Sequence, residues 1–321
     1  MSTGKTVIII AGPTAVGKTA VALSLAKHFQ TEIISADSRQ CFKELKIGVA
    51  RPSEEELKEV THHFVASHSI KENINAAYFE QYALKKVHQL FQKKDFVVMV
   101  GGTGLYIKAF CEGLDEIPGV KPKIRSGIIE KYKENGLRWL QEEIRKKDPA
   151  FFAKGEIQNP QRMMRALEVM ESSGQSILSY RKSEKVKRDF KIIKIGLELP
   201  REELYHNINS RVDKMIEEGL VNEVISLLRY RDSNALQTVG YKEIIDTLIP
   251  QLRISQLGED TFVFKDDVLP IEMAIEEIKK NTRHYAKRQM TWFRKDKEIQ
   301  WCNARQVDEI ISMAQKLGNT F

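Results

Sequence analysis

Residues 6–19 read TVIIIAGPTAVGKT, and AVALSLAKHF follows at once. The apolar run has the composition of a buried strand, and the segment after the loop has that of a helix. Between them Gly12, Gly17, Lys18 and Thr19 fill every fixed place of the pattern G-x-x-x-x-G-K-[ST], with Pro13, Thr14, Ala15 and Val16 as the spacer. Strand, glycine loop and helix in that order make a phosphate cradle. The glycines let backbone N–H groups wrap a diphosphate, the helix offers its positive end, Lys18 adds a charge and Thr19 presents a hydroxyl to Mg²⁺. All these contacts are to phosphate and none to a base or sugar. The loop therefore fixes a diphosphate ligand and leaves its identity open.

Working outward, short apolar strands alternate with amphipathic helices as far as Asp115: EIIS, a helix over 75–93, FVVMV, and a helix over 103–111. That alternation predicts an α/β core with a parallel, P-loop NTPase-like sheet. From 118 to 189 the strand signal vanishes. KPKIRSGIIEKYKENG, LRWLQEEIRKKD and NPQRMMRALEVMESSG read as successive helices of an inserted lobe. FKIIKIGLEL restores the strand signal, and PREELYHNINSRVDKMIEEG reads as a helix with proline just inside its start. The expected organisation is a first part of the core over 1–117, a helical insertion over 118–189, and a return to the core over 190–321 that ends in a basic helix. Residues 251–270 break helical periodicity and suggest a hairpin excursion.

Composition narrows the function classes. Hydrophobic residues make up 42% of the 321-residue chain and charged residues 30%, which excludes wholesale disorder. The net charge of +7 suits a polyanionic partner. Three dispersed cysteines, Cys41, Cys111 and Cys302, form no metal-binding or disulfide pattern. The apolar stretch 6–11 is too short for a signal-peptide core, so a cytoplasmic protein with no membrane partner is expected, with a monomer as the default.

Several residues carry candidate chemistry. FVVMV ends in GGTG where a nucleotide-hydrolysing loop has its companion aspartate, so no Walker B residue is evident. EIIS instead leads into SADSRQ, and Asp37 should face the ligand crevice at the carboxyl end of its strand. It reads either as a proton acceptor or as a cap for the next turn. Arg211 falls at the edge of the apolar stripe Leu204, Ile208, Val212, Met215 and Ile216, and reads either as a diphosphate ligand or as a snorkelling or salt-bridged arginine. Two helices offer cationic faces: Gln161, Arg162 and Arg165 on one, and Lys280, Arg283, His284, Lys287, Thr291 and Arg294 on the last long one. Ile271, Ile275, Ile278, Tyr285, Trp292 and Phe293 lie opposite that second face. Such faces are either solvated or bound to phosphate backbone.

The stretches GPTAVGKT, ISADSRQCFKELKIGVARP, HHF, VGGTGLYIKAF, NPQRMMRALEV, VGYKE and RHYAKRQMTWFRK run in order along nearly the whole chain. In this they closely resemble the bacterial-type tRNA dimethylallyltransferases. The resemblance implies transfer of a dimethylallyl group from dimethylallyl diphosphate to N6 of the adenosine 3′-adjacent to the anticodon. On the loop alone, the alternative is an ATP-dependent kinase of a small molecule or nucleotide. The same resemblance implies that Lys18 and Arg211 hold the diphosphate, that Thr19 serves Mg²⁺, and that Asp37 binds the adenine N6 and acts as base. Ser38, Arg39 and Gln40 would surround the flipped-out base. Thr103, Arg125, the stretch Gln161, Arg162, Met163, Met164 and Arg165, the stretch Thr238, Val239, Gly240, Tyr241 and Lys242, and the segment Lys287, Arg288, Gln289, Met290, Thr291, Trp292, Phe293 and Arg294 would touch the tRNA anticodon stem-loop. Departures from the family pattern are Cys41 and Phe42 for an aliphatic-tyrosine pair, Val49 for a threonine, and Ala66 for the aspartate of HHLID.

Overall fold

The structure, a computed structural model, describes residues 4–181, 185–253, 263–264 and 271–319. Contacts divide the chain into two compact units, Met1–Cys111 with Lys187–Phe321, and Glu112–Val186.

The first unit is built on β1 (Thr6–Ala11), whose six residues are all buried. Helix α1 (Lys18–His28) follows the glycine loop, and β2 (Ile33–Ser35), the short helix α2 (Glu54–Glu59), β3 (His62–His63), α3 (Ala76–Phe91), β4 (Phe96–Gly101) and α4 (Gly104–Glu112) complete the first pass. The sheet order is β3-β2-β4-β1, continuing through two strands contributed after the second unit. Every pairing in it is parallel. Strands buried on both faces must be apolar at every position, which is why TVIIIA and FVVMV read as continuous runs. Val7 and Ile9 pack on one side with Phe79, Val87 and Phe110, while Ile8 and Ile10 pack on the other with Val21, Leu25 and Ile195.

The second unit is helical. Helix α5 (Pro122–Lys147) is broken at Gly136, whose φ of 71° and ψ of −165° split it into the two segments the sequence suggested. Helices α6 (Pro149–Lys154) and α7 (Pro160–Ser173) follow. The short α6 was not expected. It is started by buried Asp148, which accepts hydrogen bonds from the Phe151 N–H at 2.9 Å and the Ser176 hydroxyl at 2.8 Å. Leu140, Ile144, Phe151, Met163, Leu167 and Val169 form the centre of this unit's own core.

The chain re-enters the first unit at β5 (Lys191–Glu198), which pairs with β1 from Thr6↔Lys191 to Ala11↔Gly196. Helix α8 (Arg201–Glu217) comes next, with Pro200 at its N-cap and thus just outside the helix, not inside it. Helices α9 (Leu220–Ser226) and α10 (Tyr241–Leu248) precede a small antiparallel pair, β6 (Leu252–Arg253) and β7 (Val263–Phe264). That pair meets the hairpin expectation, and the rest of 254–270 lies outside the described residues. Helix α11 (Glu272–Phe293) is the long basic helix. Beyond it, β8 (Gln300–Asn303) joins the sheet edge beside β5, and α12 (Val307–Asn319) packs Ile310 and Ala314 against the β1–α1 face. Neither was expected from the sequence. Among the described residues no helix is long and apolar enough to cross a membrane.

Candidate active site

The parallel sheet brings the carboxyl ends of β1, β2 and β4 to one edge, where a ligand crevice is expected. A cleft of about 470 Å³ opens there, lined by Thr14, Lys18, Thr19, Asp37, Arg211 and Gln289 among others. Gly12 starts the loop with φ at 148°, and a Cβ on it would sit 2.8 Å from the Leu197 carbonyl oxygen, so only glycine lets the loop pass this close to β5. Asn207 on α8 donates to the Ala15 carbonyl at 3.5 Å, and Arg211, one turn on, donates to the Thr14 hydroxyl at 3.3 Å. Arg211 thus reaches the phosphate loop from α8.

Lys18 donates its ammonium to the Pro13 carbonyl at 2.6 Å. Burial, with the Arg211 charge nearby, pushes its pKa down to about 7, against a smaller opposing pull from Asp37. Two cations have been brought together at a desolvated spot, and an anion there relieves both. Burial also lowers the Arg211 pKa. Thr19, half-buried at the first turn of α1, presents its side chain to the same cleft.

Asp37 stands just past β2. Its Oδ1 accepts the backbone N–H groups of Arg39 and Gln40 at 2.8 and 3.2 Å. The capping reading of Asp37 is therefore correct for that oxygen. Every hydrogen bond to Asp37 among the described residues goes to Oδ1, which leaves Oδ2 for the cleft. Thr103 accepts the Ser38 N–H at 3.0 Å and donates to the Ser38 hydroxyl at 3.3 Å, clamping the turn to the end of β4. Gln40 accepts from the Ser35 hydroxyl at 3.2 Å and donates to the Val49 and Ala50 carbonyls at 3.2 and 2.9 Å. Thr103 and Gln40 thus shape the site from within. A smaller adjoining pocket of about 110 Å³ joins Asp37, Arg39, Arg211 and Tyr285 to Thr238, Val239 and Gly240.

The profile described as IPP transferase matches residues 40–296. The chain belongs to the IPP transferase family. It is 47% identical over 294 residues to the tRNA dimethylallyltransferase of Christiangramia forsetii, covering 92% of each chain. It is 44% identical over 306 residues to tRNA dimethylallyltransferase 1 of Bacteroides thetaiotaomicron, covering 95% of this chain and 94% of that one. Its fold is similar to the crystal structure of the full-length tRNA isopentenylpyrophosphate transferase from Bacillus halodurans, with a TM-score of 0.68 at 31% identity, over 98% of this chain and 97% of that one.

Within this IPP transferase the residues of α7, α10 and α11 expected at RNA differ in exposure. Gln161, Arg162, Arg165, Lys242, Lys287, Arg288, Thr291, Trp292 and Arg294 keep surface exposure. Met290 is half-buried. Met163, Met164, Tyr241, Gln289 and Phe293 are buried, and their side chains cannot meet RNA where they stand. Helical periodicity explains this: Met163 shares its face with Leu167, and Gln289 lies four residues from both Tyr285 and Phe293 on the inner face of α11. The basic end of α7 is internally paired. Arg162 bonds Glu156, and Arg165 and Arg125 approach buried Glu168 at 3.4 and 3.7 Å. On α11, Arg288 lies over the Tyr285 ring at 5.8 Å, and Arg294 pairs with Glu198 at 3.4 Å.

Cys41 and Phe42 are both buried in the core beside Leu45. The cleft also contains Arg51, Ser53, Glu56, His62 and Lys214, to which the sequence reading gave no role, although Arg51 and His62 lie within the stretches that carry the resemblance. Glu56 and Ser53 are occupied with each other, as a reciprocal cap that starts α2.

Proposed function

We propose that the chain transfers a dimethylallyl group from dimethylallyl diphosphate to N6 of the adenosine 3′-adjacent to the anticodon in tRNA, releasing diphosphate. The observation that carries this reading is one cleft holding Lys18, Arg211 and the glycine loop together with Asp37, with Gly101 and Gly102 where a nucleotide hydrolase has its aspartate. The N6 lone pair attacks C1 of the prenyl group, and the C1–O bond breaks with its electrons passing to the diphosphate. The N6 proton goes to Asp37 Oδ2. Charge grows on the departing diphosphate, which would lie beside Lys18, Arg211 and the glycine loop. Extracting the base from the stem-loop exposes N6, and the pocket beside Arg39 and Thr238–Gly240 is where we place it.

No group of three or more His, Cys, Asp or Glu residues that could hold a metal occurs among the described residues. This suits Mg²⁺, which usually keeps waters and binds through substrate phosphates plus one or two protein oxygens. Thr19 is the residue that would hold it, and the ion would supply charge neutralisation on the diphosphate. The exposed cations of α7 and α11 fit the phosphates of an anticodon stem-loop. We read the protein as a cytoplasmic monomer.

The test is incubation of the purified protein with Mg²⁺, labelled dimethylallyl diphosphate and unmodified tRNA, followed by mass analysis of the nucleosides. One five-carbon group on an adenosine is expected. Absence of label across a full tRNA pool, or transfer of the γ-phosphate of ATP without RNA, would refute the reading.

A further inference from the structure

Gln289 sits among the exposed residues Lys287, Arg288 and Thr291 in sequence, yet its side chain points the other way and is only 7% exposed. Its Oε1 accepts the Thr14 backbone N–H at 2.9 Å, and its Nε2 donates to the Gly102 carbonyl at 2.9 Å. One buried amide therefore ties the phosphate loop to the end of β4. Gly102 is cut to fit it, because a Cβ there would collide with the Gln289 amide nitrogen.

Thr14 is the residue on which this bears. Its hydroxyl takes the Arg211 guanidinium, while its N–H is drawn to Gln289 and away from any bound anion. The path of the loop through Pro13, Thr14 and Ala15 is thus set by two helices, α8 and α11, as well as by the glycines. An amide suits this position because it offers an acceptor and a donor in one plane, without the charge that would disturb a cluster already holding Lys18 and Arg211. Removing it leaves the buried Gly102 carbonyl and the half-buried Thr14 N–H without their partner, and the loop would shift to satisfy them.

We propose that Gln289 is a positioning residue of the diphosphate site, acting through Thr14 and Gly102, and not an RNA contact. The inference rests on the diphosphate reading of the loop given above. The test is calorimetric titration of Mg²⁺-pyrophosphate and, separately, of an anticodon stem-loop RNA into wild type, Gln289→Met and the neighbouring Arg288→Ala. Gln289→Met should weaken pyrophosphate binding by roughly tenfold, the cost of one orphaned buried polar group, with stem-loop affinity within about twofold of wild type. Arg288→Ala should do the reverse. In turnover, Gln289→Met should raise the KM for dimethylallyl diphosphate more than it lowers kcat.

If Gln289→Met does not fold, Gln289→Asn, which withdraws both ends without adding charge, must show the same split. Unchanged pyrophosphate affinity in a folded variant overturns the proposal, whether or not stem-loop binding falls. Equal loss of both affinities overturns it in favour of a general structural role. A wild-type protein that binds the stem-loop but no pyrophosphate would instead refute the diphosphate reading of the loop, and the inference with it.

Discussion

Tyr241 donates its hydroxyl to Glu223 at 2.5 Å, and the same carboxylate accepts the backbone N–H groups of Lys46, Ile47 and Gly48 at 3.2, 2.9 and 3.2 Å. A buried tyrosine at the start of α10 and a glutamate on α9 thereby anchor a loop that has no regular structure of its own. Ile47, Val49, Ala50 and Arg51 of that loop form one wall of the cleft. The fit is close, since a Cβ on Gly48 would stand 2.5 Å from the Tyr241 ring. Gly48→Ala should cost about 1–3 kcal/mol by overpacking. Tyr241→Phe, which removes one hydrogen bond of four, should cost about 1 kcal/mol. Urea midpoints of the two variants check both, and a raised KM for dimethylallyl diphosphate in each would show that the wall matters to the cleft.

Asp37→Asn separates the two roles of Asp37. The amide oxygen still caps the Arg39 and Gln40 N–H groups, so the turn survives, but the proton acceptor is gone. Turnover should fall by about 10²–10⁴-fold with diphosphate affinity nearly unchanged. Single-turnover kinetics beside pyrophosphate titration checks this. A variant that loses both together would mean that the turn, and not the base, is what Asp37 supplies.

Lys18 gives the site a pH signature. Its pKa is about 7 in the free protein and 10.5 in its ordinary state. Between these values the unfolded chain holds a proton that the folded chain has released, so this group's contribution to stability increases as pH rises through that window. An incoming diphosphate restores the charge on Lys18. Binding at pH 8 should therefore take up close to one proton, and affinity should decline as pH climbs above about 7. Titration calorimetry in buffers of different ionisation enthalpy measures the uptake, which Lys18→Met should abolish.

The internal pairing of the α7 arginines predicts an unusual gain. Glu156 competes with RNA phosphate for Arg162, so Glu156→Gln should tighten stem-loop binding severalfold at low salt. Arg162→Ala should weaken it and flatten the salt dependence by roughly one unit of slope. Binding measured between about 50 and 200 mM salt tests both variants, and an unchanged slope in Arg162→Ala would remove Arg162 from the interface.

Much of this site was legible in the sequence because its parts follow local rules. The phosphate loop is a contiguous motif, Asp37 follows from the placement of strand ends, and Arg211 stood out as a cation at the edge of an apolar stripe. What escaped notice depends on distant partners. Strand β3 has two residues, and β8 is an edge strand with the burial pattern exposed, half-buried, half-buried, exposed, so neither carries the periodicity of an interior strand. Arg51 and His62 enter the cleft from segments that only folding brings there. Gln289 left a trace that could have been used: a polar side chain midway between Tyr285 and Phe293 on an apolar face needs a buried partner. Motif resemblance assigned it to RNA because its neighbours in sequence are cationic.

The bond from Gln289 to Thr14 joins residues 275 positions apart. During synthesis the glycine loop is made 275 residues before the side chain that bonds to it. A nascent chain carrying the whole loop motif would lack the shaped anion site until α11 had been translated and packed.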